Sequence, residues 1–402
     1  MPAPLLIDLS HTGHTSARTG IQRVTRSLHA ALGAHACAIT FDPYQKTWRE
    51  FAPWEHANLT TARPTPNRRA PWPLAAQLRG TAQRWLRRPC PSLPENCGVI
   101  VPEVFSAQTA RALPALLNAT QGPRAALFHD AIALKFPELT PKKTVARFPS
   151  YLLELLQFDG IAAVSADSRD TLIDYWAWLG LKNHPPVTAI PLGTHLRIAA
   201  ASPTPTLPNA GPQILSVGSI EGRKNHCALL DAAEKLWNQG TSFSLHLIGL
   251  AHQQTGAAAL TKIRALQSAG RPLHYAGALS DAAVDAAYAA CTFTVYPSLM
   301  EGFGLPVIES LAHGKPCICS RRGALAESAQ GGGCLLLPAL DAAALATAIA
   351  SLLNQPATLA TLTNTARART FKTWENYSAE LTTWLQSLPP RPLEKKIPPT
   401  TL

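Results

Sequence analysis

Glu301 and Glu309 bracket the segment Gly-Phe-Gly-Leu-Pro-Val-Ile, and residue types in this pattern suit the grip of a polar, anionic ligand. The stretch reads as strand, loop and helix. Cys291–Tyr296 alternates as a strand, Pro306 fits a first helical turn, where its missing N–H costs nothing, and Gly314 fits the residue that ends the helix. Gly302 and Gly304 let the chain turn and let a ligand approach without Cβ atoms in the way. The unpaired amides of the first turn then face the ligand side and suit an anion. Glu301 falls in the loop and Glu309 about one turn into the helix, two carboxylates able to accept from sugar or ribose hydroxyls. A second polar stretch, Ser219 to Lys224, follows the Val217-Gly218 strand end. There Arg223 and Lys224 put positive charge within reach of a diphosphate. His129 and Ser165 each end a short apolar run in the first half of the chain. A lone His is more often structural, and Ser165 can equally cap the helix that follows it.

These residues need a scaffold, and the sequence supplies one. Short apolar runs recur between longer helical patterns, the signature of parallel sheets covered by helices. The expected strands of the first half are Leu5–Leu9, Cys37–Phe41, Gly98–Val101, Ala125–His129, Ile161–Ser165 and Val187–Pro191. Those of the second half are Gln213–Gly218, Ser244–Gly249, Leu273–Ala276, Cys291–Tyr296, Pro316–Ser320 and Cys334–Leu337. Between them the uncharged, Pro-rich stretch 198–211 reads as a linker. The expected organisation is therefore an α/β domain over 1–197, the linker, a second α/β domain over 212–370, a helix over 371–388 and a disordered tail over 389–402. Two doubly wound sheets facing each other across a cleft follow, with ligands beyond the carboxyl ends of the strands.

The net charge of +11 over 402 residues implies an anionic partner or a solvated basic surface. Seven arginines and no acid fall between Arg63 and Pro94. Leu74, Leu78, Trp85 and Leu86 there could stripe a helix flanked by Arg79, Arg84, Arg87 and Arg88. Two readings stay open for residues 63–88: a helix against an anionic membrane surface, weakened by Gly80, or an insertion whose arginines are merely solvated. No nucleic-acid recognition motif accompanies the arginines. The eight cysteines form no CxxC pair, and Cys317 and Cys319 share one face of a strand. Reduced, mostly buried thiols in a cytoplasmic protein are expected. The N-terminus lacks the form of a signal peptide, and no run approaches the roughly 20 apolar residues that span a bilayer.

The segment 297–320, PSLMEGFGLPVIESLAHGKPCICS, closely resembles the donor-site motif of retaining glycosyltransferases of family 4, which have the GT-B fold. Similarity continues through 187–196, 214–236, 273–298 and 371–385. RTGIQRVTRSL (18–28) and FHDAIALKFPE (128–138) are similar to segments of the mannosyl- and rhamnosyltransferases that build bacterial surface polysaccharides. The resemblance implies two Rossmann-like domains and a hexose moved, with retention, from a nucleotide-diphosphate sugar to a lipid-linked saccharide, as in lipopolysaccharide synthesis.

It also implies roles. Lys224 takes the phosphate-binding lysine position. The family commonly has an arginine where this chain has Ser219, and Arg223 would supply that charge. Phe303, Gly304, Leu305 and Glu309 fall at donor-binding positions, and Glu301, His129 and Lys224 at catalytic ones, with His129 in contact with the transferred sugar. Gly20 and Ser165 fall on the first-domain side of the donor, where the loop between Gly13 and Gly20 passes. Catalysis of this kind needs no nucleophile and base pair; the protein positions groups and neutralises the departing phosphate. No Asp-x-Asp lies near a strand end, so no obligatory metal and no cofactor are expected, and Asp8, Asp130 and Asp167 make no metal cluster. A peripheral place on the cytoplasmic membrane face follows from the acceptor. The rival readings are a sugar-nucleotide epimerase, a glycoside hydrolase using the paired glutamates, and a non-catalytic scaffold that binds carbohydrate or membrane.

Overall fold

A computed structural model describes residues 5–15, 20–60, 71–88, 92–94, 97–195 and 211–389. Most of the expected linker, the arginines at 63, 68 and 69, and the tail beyond Pro389 lie outside the described residues. The chain divides into two compact units. One gathers the residues up to Asp130, Ala146–Leu192 and those from Trp374 on; the other gathers Ala131–Val145 and Gly193–Thr373. Ala131–Val145, read from sequence as part of the first domain, thus belongs with the second.

The first unit is built on a sheet of β1 (Leu5–Asp8), β2 (Ala36–Asp42), β3 (Thr47–Glu50), β4 (Val99–Val101), β5 (Arg124–Phe128), β6 (Gly160–Ala163) and β7 (Val187–Ala189). Their order is β3-β2-β1-β4-β5-β6-β7, and every pairing is parallel except β2 with β3. Runs such as Val99-Ile100-Val101 are wholly buried, as strands covered on both faces must be. The helix Trp374–Ser387 belongs to this unit, and its Trp384 Nε1 donates to Thr188 Oγ1 of β7 at 3.0 Å.

The second unit is built on β8 (Gln213–Val217), β9 (Ser244–Ile248), β10 (Leu273–Tyr275), β11 (Phe293–Tyr296), β12 (Cys317–Ser320) and β13 (Cys334–Leu337), all parallel. The order is β10-β9-β8-β11-β12-β13. Strand order reverses between β8 and β11, the position outside the strands' carboxyl ends where open α/β sheets bind ligands. The two loops leaving those ends are Gly218–Asn225 and Pro297–Gly304, the ones that hold the residues singled out above. The core on one face of this sheet joins Ile214, Leu245, Leu247, Phe293, Val295 and Ile318 to helix residues such as Leu229, Leu230, Trp237 and Ile349. Burying each such side chain contributes about 1.5–3 kcal/mol, and together they keep the two loops on a rigid base.

Candidate active site

The loop after β8 tightens into a short turn, Gly222–Lys224, and leaves it through Asn225, whose φ of +56° is left-handed. That conformation suits few side chains, and here the Asn225 amide secures it by donating to the Leu340 carbonyl at 2.8 Å. The helix His226–Asn238 follows. Lys224 is consequently turned inward, with only 6% of its surface exposed. Its ammonium donates to the Tyr296 hydroxyl and to Glu301 Oε1, and lies 4.8 Å from the Tyr296 ring centre.

Glu301 is the hub. Its Oε1 also accepts from Arg223 at 2.9 Å, Tyr296 at 2.9 Å and Ser298 at 2.5 Å. Arg223 reaches Glu221 at 2.8 Å and the Met300 carbonyl at 3.2 Å, while its own carbonyl accepts from Leu299 N at 2.8 Å. The two loops are thereby stitched together. Ser219 joins the network by donating to Glu221 at 2.9 Å. Glu221, Tyr296 and Ser298 were missed in the sequence, although Tyr296 and Ser298 stand just ahead of Glu301 in the same motif.

Burial opposes charge on both sides of this cluster, yet the two partners respond differently. Burial would raise the Glu301 pKa, but Arg223, Lys224 and the hydrogen bonds outweigh it and bring it down to about 2. For Lys224, burial and the neighbouring Arg223 both work against the ammonium, and Glu301 only partly offsets them, so its pKa is lowered. Two carboxylates thus face two cations: Glu301 is shared between Lys224 and Arg223, and Glu221 pairs with Arg223. Burial raises the Tyr296 pKa well above its usual value, so its hydroxyl keeps its proton and relays between Lys224 and Glu301.

The helix Leu305–Ala312 starts beside this cluster. Gly304 adopts φ +100°, and a Cβ there would come within 2.9 Å of Leu325, so both conformation and space demand glycine. Pro306 sits in the first turn, and Gly314, at φ +67°, follows the helix end. The Ser328 hydroxyl donates to the Phe303 carbonyl and fixes the entry. Phe303 and Leu305 are half-buried. The half-buried Glu309 accepts from the Tyr288 hydroxyl at 3.3 Å. Tyr288 packs with Leu215, Ile248 and Val217 and stacks on His313. Glu309 is therefore held by the elements flanking β8, whereas Glu301, Lys224 and Arg223 meet directly.

In the first unit, His129 follows β5, is buried, and donates from Nε2 to the Pro102 carbonyl at 2.7 Å. Burial lowers its pKa. A carbonyl can only accept, so the neutral ring carries its proton on Nε2 and presents Nδ1 as an acceptor. Ser165 caps the helix Ala166–Trp178 by accepting from Ser168 N at 3.1 Å, and is 1% exposed. Of the two readings left open for Ser165, the geometry realises the cap. Ser165→Ala should cost about 1 kcal/mol in urea unfolding and leave any turnover of the folded protein unchanged. A specific loss of turnover at full stability would restore a ligand role.

Gly20 opens the helix Gly20–Leu32 and is exposed, with room for a Cβ. Gly13 is different: a Cβ there would lie 2.3 Å from the Phe51 ring. The loop after β1 is pinned by a residue the sequence did not flag. Buried Glu103, after β4, accepts from His11 N and Thr12 N at 2.9 Å and from the Thr12 hydroxyl. Nothing local marks that glutamate, because its partners lie about 90 residues away.

Residues 200–369 match a family described as Glycosyl transferases group 1. The chain is 26% identical over 352 residues to the serotype-specific mannosyltransferase WbdA of Escherichia coli, covering 78% of this chain and 38% of that protein. It is 29% identical over 265 residues to the O-antigen chain mannosyltransferase B of Escherichia coli, covering 63% and 67%. Thus it spans under two-fifths of WbdA. Among solved structures, sucrose-phosphate synthase from Thermosynechococcus elongatus superposes with a TM-score of 0.67 at 21% identity, covering 96% of this chain and 99% of that one. Anabaena HepE in complex with UDP gives 0.66 at 17%, covering 96% and 100%. The fold is that of the GT-B glycosyltransferases.

Proposed function

From a chain whose residues 200–369 match the family described as Glycosyl transferases group 1, we infer a retaining hexosyltransferase of bacterial surface polysaccharide synthesis. It moves mannose, rhamnose or a related hexose from a nucleotide-diphosphate sugar to a lipid-linked saccharide. The observation that carries this reading is the convergence of Lys224, Arg223 and Glu301 at the reversal of strand order, beside the start of the helix at Leu305. When the sugar–phosphate bond breaks, negative charge grows on the leaving diphosphate. Cations held ready there stabilise the transition state more than the bound donor. Lys224 and Arg223 then share their charge between Glu301 and the phosphate oxygens, and no bridging metal is invoked. Glu309 accepts from donor hydroxyls. The departing phosphate helps remove the acceptor proton, so the new bond forms on the face the phosphate leaves. The mannosyltransferase names of the relatives favour mannose. Incubation of the purified protein with a panel of GDP- and UDP-sugars, following slow donor hydrolysis and anomeric configuration, tests this. One donor hydrolysed with retention supports it; no donor turned over, or inversion, overturns it.

The acceptor reading places the protein on the cytoplasmic membrane face. Among the described residues no helix is long and apolar enough to cross a membrane. The helix Leu74–Trp85 offers a docking face instead. Leu74, Leu78 and Trp85 are 75%, 71% and 84% exposed along one stripe, and Arg79, Arg84, Arg87 and Arg88 are exposed around it. Gly80 does not break this helix. It lies on the buried face, where a Cβ would come 3.0 Å from Tyr44 and 3.3 Å from Gln45 N. Each arginine near an anionic surface contributes about 1 kcal/mol. Neutralising all four should therefore cut flotation with anionic liposomes by roughly two to three orders of magnitude in partition coefficient. Equal flotation of variant and wild type removes the basic helix from the reading.

A further inference from the structure

The second unit carries three thiols that the proposed reaction does not use. Cys317 and Cys319 point to one face of β12, and Cys334 opens β13 as the register partner of Cys317. All three are free. Cys317 and Cys319 are fully buried among Tyr296, Val307 and Leu311, and half-buried Cys334 packs at the margin of the same cluster. A cation stands beside them: the Arg369 guanidinium donates to the Ser328 and Gly332 carbonyls at 3.2 Å, along the Gly331-Gly332-Gly333 approach to Cys334. The neighbouring Cys317 and Cys319 thiols, with Arg369, hold the Cys334 thiol below its ordinary range against its burial. Burial keeps Cys317 well above it. The cluster therefore pairs one partly accessible thiolate with a buried, protonated thiol on the neighbouring strand. That is the division of labour a peroxide-reactive cysteine and its resolving partner need.

We propose that Cys334 is a site of reversible oxidation by hydrogen peroxide, closing a disulfide to Cys317 across β12 and β13. In the first step the Cys334 thiolate attacks the peroxide. An S–O bond forms, the O–O bond breaks, hydroxide leaves, and sulfur gives up two electrons. In the second step Cys317 loses its proton and attacks the sulfenic sulfur. The S–S bond forms, the S–O bond breaks and water leaves. Paired positions on adjacent strands, about 4.8 Å apart, lie within the Cα separations of about 4.4–6.8 Å that disulfides span. Ser328, whose carbonyl holds Arg369, also donates its hydroxyl to Phe303. Those contacts are the route by which oxidation would reach the loop before Leu305. That consequence rests on the function proposed above; the oxidation site does not.

The test treats the full-length folded protein with hydrogen peroxide, blocks remaining thiols, digests without reductant and maps linked peptides by mass spectrometry. A Cys317–Cys334 linkage that disappears with dithiothreitol is expected, and Cys319→Ser should retain it. Cys317→Ser should lose the linkage and accumulate Cys334 sulfenic acid trapped by dimedone, while Cys334→Ser should give neither product. Oxidation of other cysteines with Cys334 unmodified, or linkage of Cys334 elsewhere in the wild type, overturns the assignment.

Discussion

Lys224→Ala should lower kcat/KM for sugar transfer by about two to three orders of magnitude, the loss found when one preorganised donor to a developing oxyanion is removed. The ammonium is buried and already oriented by Tyr296 and Glu301, so its charge needs no rearrangement when the phosphate departs. Its interaction grows with the charge on the leaving group, so kcat should fall further than KM rises. The fold should survive, because Glu301 keeps Arg223, Tyr296 and Ser298 as partners. Steady-state kinetics with a circular dichroism control measures this. A change in KM alone would reassign Lys224 to ground-state binding.

Glu301→Ala acts on stability as well as rate. It leaves Lys224 and Arg223 side by side without their shared carboxylate, and breaking a buried pair in this way costs about 3–5 kcal/mol. Glu301→Gln should be milder, since its amide oxygen still accepts from Tyr296 and Ser298. The pH dependence has a definite sign. The Glu301 pKa is lowered from 4.5 to about 2, so its contribution is complete above about 4.5 and disappears as pH falls through 4.5 towards 2. Urea unfolding should show wild type losing stability over that window more steeply than Glu301→Ala. Parallel pH profiles would show that the carboxylate is not held by the cations as described.

The strand pattern was legible because parallel strands covered on both faces must be continuous apolar runs, and each expected run overlaps an observed strand. β3 was not legible. Thr47-Trp48-Arg49-Glu50 buries only Trp48, pairs antiparallel at the sheet edge, and carries no apolar run to mark it. The place of Ala131–Val145 in the second unit was equally hidden, since packing against residues distant in sequence leaves no local periodicity. Gly80 shows the limit of propensity: its cost in a helix is real, but close packing on Tyr44 and Gln45 overrides it. At the site, Lys224 and Glu301 were found by motif and spacing. Glu221 and Glu103 act through partners brought to them only by the fold, and a lone glutamate in sequence carries no sign of that.

Calorimetric titration of wild type and Lys224→Ala with nucleoside diphosphates, each beside its monophosphate, tests the donor site most directly. One diphosphate should bind wild type more tightly than its monophosphate, and the variant should bind it about 10- to 100-fold more weakly, the worth of one charged hydrogen bond. Equal affinity of both proteins for that diphosphate, or no preference over the monophosphate, would contradict a diphosphate seated on Lys224.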